Sequence, residues 1–122
     1  MAVKRHVVTL TTDTNGDATG YTPVISGRVA TIRYVKTDYD NGVDFTITAE
    51  ATGETIWAQQ DVNASATVAP RQATHTVAGV AALYAGSGQA VLDKIILAAD
   101  RVKIVVASGG ATKTGAFHVT VE

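Results

Sequence analysis

Apolar and polar residues alternate along most of this chain with a period of two, as they do in strands that bury one face. In "RHVVTLTT", Val8 and Leu10 share one face, and Val7, Thr9 and Thr11 the other. In "RVATIRYVK", Ala30, Ile32 and Tyr34 alternate with Thr31 and Arg33. "DFTITAE" sets Phe45, Ile47 and Ala49 against Thr46, Thr48 and Glu50. "TGE" then turns the chain, and "TIWAQQ" continues as a strand with Ile56 inward. "DKIILA" and "RVKIVVA" read as strands joined by a short turn around Ala99–Asp100. "AFHVTVE" closes the chain with Phe117, Val119 and Val121 on one face. "DTNGDATGY" reads as a turn-rich loop, and "SGGATKTG" as the connection before the last strand. About seven to nine short strands with frequent turns predict an all-β fold, a single antiparallel β-sandwich domain of jelly-roll type. It spans residues 1–122, with residues 2–5 as an N-terminal arm.

The region from Asp61 to Gln89 breaks the pattern. It is Ala-rich and nearly uncharged. Val77, Val80, Ala81 and Tyr84 have helical spacing, but Gly79 interrupts them and the flanks "APRQ" and "GSGQ" read as loops. A one- or two-turn helix is one reading. A long loop excursion containing a short strand is the other, and the one preferred. Long ordered loops in compact domains usually carry function, and the apolar content of this one predicts order against something.

"TDYDNGVD" (37–44) poses a choice between a metal site and a turn. A calcium loop counted from Asp38 puts Asp40 at its third position, but Gly42 falls at the fifth and Ala49 at the twelfth, where ligands are needed. Asn-Gly, by contrast, is the strongest short hairpin signal. With Asn41-Gly42 as the turn, Asp40 pairs with Val43, Tyr34 with Ala49, and the apolar faces of both strands coincide. The turn is therefore the expectation. Asp38, Asp40 and Asp44 are the residual metal candidates.

Composition sharpens this outline. Charged residues make up 17% of the chain, against about 25% in an average domain, while apolar residues make up 46%. The surface must be built mainly from Thr, Ala, Gly, Ser and Gln, which fits burial in an assembly. The net charge of −1 argues against nucleic-acid binding. There are no cysteines, which excludes thiolate metal sites and thiol nucleophiles and fits folding in a reducing cytoplasm. No apolar run reads as a signal peptide or reaches the ~20 residues of a membrane span. A soluble protein made in a cytoplasm, without membrane contact, is expected.

No catalytic constellation can be assembled, so no enzyme activity and no cofactor are expected. His6, His75 and His118 lack ligand spacing, and no serine lies in a nucleophile elbow. "SGGATKTG" lacks the spacing of a phosphate-binding loop. Trp57, beside Gln59, Gln60 and Asp61, could stack on a sugar ring, or it could pack at a sheet rim or a subunit contact.

The order "TLTTDTNGDATGYTPVISGRVATIRYV", "VDFTITAEATGETIW", "ILAADRVKIVVASGG" and "TGAFHVTVE" resembles small virion structural proteins of tailed bacteriophages, most of all capsid decoration (cement) proteins. The resemblance covers most of the chain and lends no catalytic residues. It implies a homo-oligomer, trimer or dimer, on the capsid exterior. Its partner would be the major capsid protein, whose contacts it would stabilise, and the chain would be made in the bacterial host cytoplasm. The excursion and the segment 2–5 are the expected contacts, with Trp57, Arg71, His75 and Tyr84 as interface candidates by residue type and position. A tail or host-recognition module, with carbohydrate binding as one form of it, is the alternative.

Overall fold

β-Branched and aromatic residues fill the alternating segments, and each of these segments becomes a strand. The structure, a computed structural model, describes residues 2–122. Its strands are β1 (Lys4–Thr11), β2 (Ala18–Tyr21), β3 (Ile25–Lys36), β4 (Val43–Ala49), β5 (Thr55–Val62), β6 (Ala66–Val68), β7 (Arg71–Ala73), β8 (Leu92–Asp100), β9 (Val102–Ala107) and β10 (Thr114–Val121). There is no helix among the described residues.

With the short strands β6 and β7 set aside, β1 pairs with β10, β2 with β9, β3 with β8 and β4 with β5, all antiparallel. That nesting is one long hairpin with its tip between β4 and β5. Rolled up, it gives one sheet in the order β1-β10-β3-β8-β7 and a second in the order β2-β9-β4-β5. The fold is an all-β sandwich with jelly-roll connectivity. β6 pairs with the far half of β3, beside the stretch that β8 occupies.

The alternating apolar residues meet between the sheets. Ile32, Tyr34, Phe117 and Val119 from the first sheet and Val43, Ile47, Ile104 and Val106 from the second are all fully buried. At the centre, Tyr34 and Phe45 each lie 5.2 Å from Phe117, and Trp57 packs edge-on to Phe45 at 4.7 Å. Such aromatic pairs add about 0.5–1.5 kcal/mol beyond area burial. Burial pushes the Tyr34 and Tyr39 hydroxyls up to about 12.

Three expectations need correction. First, β3 and β4 do not form a hairpin: β3 lies in the first sheet and β4 in the second. Asn41-Gly42 still turns the chain, with Gly42 at φ 87, but the turn carries it across the sandwich. Inward alternation is identical for both sheets, so matched apolar faces do not show that two strands pair. The short turn expected between β8 and β9 is present, with Ala99 at φ 47, and it too carries the chain to the other sheet. Second, "ATGY" is the strand β2 and not loop; a Cβ on Gly20 would lie 2.2 Å from Leu10 Cδ2, so glycine is what lets the strand lie over Leu10. Third, the register of β3 on β10 skips Ala30, and this bulge turns Val29 into the core instead.

One end of the sandwich gathers the loops 12–17, 37–42, 63–65 and 108–113. They are cross-linked: Gly109 N–H donates to Gly16 O at 3.0 Å, Asp40 N–H to Gly109 O at 3.0 Å, and Gly42 N–H to the side-chain Oδ1 of Asn63 at 2.7 Å. Tyr39, in the middle of "TDYDNGVD", plugs this end. It is 2% exposed, and its hydroxyl donates to Leu10 O at 2.7 Å.

Candidate interaction surface

The excursion resolves into distinct parts. Asp61 and Val62 complete β5, and β6 and β7 return the chain to the first sheet. β7 then pairs with β8, Arg71 opposite Lys94 and Ala73 opposite Leu92. Between them, residues 74–91 leave the sandwich as an arm. It contains no Asp, Glu, Lys or Arg.

Hydrogen bonds within the arm hold its shape. Thr74 N–H donates to Val91 O at 2.9 Å, Ala82 N–H to Thr74 O at 2.9 Å, and Val91 N–H to Ala82 O at 2.9 Å. Two tight turns cap it, with Thr76 N–H on Val80 O at 2.8 Å and Tyr84 N–H on Gln89 O at 3.0 Å. His75 and Ala81 form one bridge, and Leu83 and Ala90 another. The helical reading is thereby overturned. Gly79 at φ 80 bends the chain back where a helix would have to continue, and the backbone groups pair across the arm.

The arm orders its backbone without burying its side chains. Val77 is fully exposed, Tyr84 is 75% exposed and Val80 63%. Leu92, at the root of the arm, and Ile96, on the outer face of β8, are also exposed. Fully burying one such side chain is worth about 1.5–3 kcal/mol. Here an uncharged segment keeps several such side chains in water.

The four interface candidates occupy different places. Tyr84 and His75 are on the arm, both exposed. Arg71 is at its root, where its guanidinium donates to Pro70 O at 2.8 Å and Ala30 O at 3.1 Å, tying β7 to β3. Trp57 is elsewhere, on edge strand β5 of the second sheet. It is half-buried against Phe45, and its indole N–H donates to Gln59 Oε1 at 3.1 Å. This is rim packing. The N-terminal arm shortens as well, because Lys4 and Arg5 are already paired in β1, opposite Val121 and Thr120. Only Ala2 and Val3 of the described residues precede the strand.

The structure does not bring Asp38, Asp40 and Asp44 together as ligands. Asp38 accepts from Thr114 N–H, Asp44 accepts from Asp61 N–H at 2.9 Å, and Asp40 lies against Gly110. No cluster of three or more metal-ligating side chains occurs among the described residues. His6 and His118 do lie on neighbouring strands, but with opposite parity, so they point to opposite sides of the sheet. At the other end of the sandwich, Arg101 makes a two-pronged contact with Glu50, at 2.6 and 2.9 Å, and stacks 3.8 Å over Tyr21. Hydrogen bonding from Arg101 holds the Glu50 carboxyl below its ordinary value.

A groove of about 410 Å³ runs beside the start of β1, between His6, Val24 and Glu122. Ser26 also lines it, with its Oγ accepting from Ala99 N–H at 2.9 Å. The outward-facing Leu92 and Ile96, inside an alternating strand, are surface residues that sequence reasoning did not single out. The signal for Ile96 was the unbroken apolar run "IIL" at 95–97; Leu92 lies outside it.

No protein-family model matches this chain. No curated protein matches it either. Among solved structures it is similar to the virus-like particle protein of Macrobrachium rosenbergii extra small virus, at 7% identity and a TM-score of 0.38, over 98% of this chain and 78% of that one. It is also similar to a galactose-bound exo-β-1,3-galactanase from Phanerochaete chrysosporium, at 10% identity and a TM-score of 0.38, over 96% of this chain and 27% of that one. A mutant VP2 protein of infectious bursal disease virus is similar at 12% identity and a TM-score of 0.25, over 98% of this chain and 32% of that one. The chain thus spans about a third or less of the last two proteins. Likeness this distant assigns no activity or partner.

Proposed function

We propose that this chain is a virion structural protein, a decoration protein that binds the outside of an assembled phage capsid as a homo-oligomer and stabilises contacts between major capsid subunits. The observation that carries the reading is the arm 74–91, which is charge-free, ordered by its own hydrogen bonds and solvent-exposed at Val77, Val80 and Tyr84. The resemblance in residue order to tailed-phage decoration proteins points the same way, and so does the low charge of the whole surface.

The mechanism needs no chemistry. A protein that binds the assembled lattice better than the free subunits stabilises the lattice by mass action, and many copies multiply the effect. The arm supplies the apolar centre of such a contact, and Arg71 at its root ties β7 to β3. Aromatic and Arg residues are the usual anchors at such centres.

The test is co-sedimentation of the purified chain with capsids assembled without it. Wild type should pellet with the capsids. A Val77→Asp, Tyr84→Asp variant should stay in the supernatant while its melting temperature is unchanged, because neither side chain is buried. Equal pelleting of the variant would overturn the role given to the arm.

A further inference from the structure

The charged residues of this chain are few, and they are segregated. The outer face of the first sheet carries Arg5, Arg28, Arg33, Arg71 and Lys94, five of the ten basic residues. The parity of the register puts them there: Val8, Val29, Ile32 and Ile95 of the same strands point inward. The one acidic residue on that face is Glu122, which pairs with Lys94. Arg33 and Arg71 donate only to neutral oxygens, on Thr67, Pro70 and Ala30. With strands about 4.8 Å apart, β1 to β7 spans about 20 Å, so these cations form one patch.

The cross-linked loop end has the opposite sign. Asp13, Asp17, Asp38, Asp40, Asp44 and Asp61 gather there, six of the eleven acidic residues. Lys36 and Lys113 are at the same end, yet none of the six aspartates forms an ion pair: the two ion pairs among the described residues, Lys94–Glu122 and Arg101–Glu50, lie elsewhere. Several of the aspartates cap backbone N–H groups, so their number has a local structural reason. Nothing local pairs them: Lys36 Nζ donates to Asn41 Oδ1 and not to an aspartate.

We infer that the basic outer face of the first sheet docks on the acidic loop end of a second copy of this chain. The observation behind this is charge complementarity between two surfaces of one molecule whose net charge is only −1. Like charges crowded on one face repel within a monomer, and a neighbour of opposite sign relieves both patches at once. Because a face meets an end, the contact is heterologous. It closes into a ring, or extends as an array, according to the rotation between copies. The inference goes beyond the capsid reading: it concerns contacts among copies of this chain and needs no capsid.

Sedimentation velocity of the full chain tests it. Association should be seen at about 50 mM salt and should weaken at least tenfold at about 500 mM, where the screening length falls to a few ångströms. Two neutralised variants decide whether the contact is heterologous. Arg5→Gln with Arg33→Gln removes charge from the face, and Asp17→Asn with Asp61→Asn removes it from the end. All four residues are exposed, and Asn tolerates the positive φ of 55 at position 61. Each variant alone should be monomeric. Mixed, they should form a one-to-one complex that grows no further, because only one intact face and one intact end remain. A wild type that is monomeric at low salt, association insensitive to salt, variants that associate like wild type, or a mixture that stays monomeric would each overturn the inference. Neither variant touches the arm, so loss of capsid binding through the arm and loss of self-association are separable.

Discussion

Gly115→Ala tests how the loop end is packed. Gly115 is the second residue of β10, and a Cβ there would lie 2.3 Å from Tyr39 Cε2 and 2.6 Å from Cδ2. Ordinary carbon contacts are about 3.5–4 Å, so the ring must retreat by about 1 Å or more. It has little room to do so. On the Gly109 side, the space a Cβ would take is only 3.4 Å from Tyr39 Cδ1. Tyr34 stacks 6.3 Å away, and the hydroxyl is bonded to Leu10 O. Overpacking costs about 1–3 kcal/mol, and orphaning a buried carbonyl costs about 1–3 kcal/mol. A loss of about 3 kcal/mol is expected, a large share of the 5–15 kcal/mol typical of a domain. Urea denaturation followed by the fluorescence of Trp57, the only tryptophan, would measure it. The decisive control is Tyr39→Leu, which removes the ring. In that background Gly115→Ala should cost under about 0.5 kcal/mol, a coupling well above the additive limit. Costs that simply add, or a Gly115→Ala protein as stable as wild type, would refute this packing account.

Two further perturbations follow from the same end of the molecule. Because burial raises the folded-state pKa of Tyr34 and Tyr39 to about 12, stability is full below the ordinary tyrosine value of 10 and falls as pH rises toward 12, each residue contributing up to about 1.4 kcal/mol per pH unit. Urea midpoints should fall across that window and the fall should be shallower in Tyr39→Phe; a slope unaffected by that substitution would count against buried ionisation. Gly42→Val places a β-branched residue at φ 87 and should destabilise by about 1–2 kcal/mol in the same assay, with Gly42→Asn milder, and equal stability of all three would remove the strain argument.

Alternation found most of the strands because it reports burial directly. Phe45, Ile47 and Ala49 and then Phe117, Val119 and Val121 all point inward as their spacing requires. What alternation does not encode is the sheet to which a strand belongs. Both inner faces of a sandwich carry the same pattern, so "TDYDNGVD" looked like a hairpin turn and is instead a crossing between sheets. Its register parity was real, since Ile32 and Ile47 share the core, but the two strands meet across the core and not edge to edge. Tyr39 was invisible for a different reason. Surrounded by Asp and Asn, it sits where solvated turn residues are expected, yet the loop 108–113 and the start of β10 bring glycines 109 and 115 against its ring. The arm misled in the opposite sense. Val77, Val80, Ala81 and Tyr84 have helical spacing, but amphipathic spacing makes a helix only when its apolar face is buried, and none of the described residues covers these four. Composition marked the excursion as uncharged and predicted order against something; its backbone is ordered instead by its own hydrogen bonds. The patches of opposite charge were not, because they arise from strands and loops far apart in sequence.

The most direct test of the proposed role is cryo-electron microscopy of the virion that carries this chain. The account predicts jelly-roll density repeated over the capsid exterior, with residues 74–91 seated against the major capsid subunits and Tyr84 buried in the contact. A capsid shell without that density, or a sandwich bound there with its arm pointing into solvent, would contradict it.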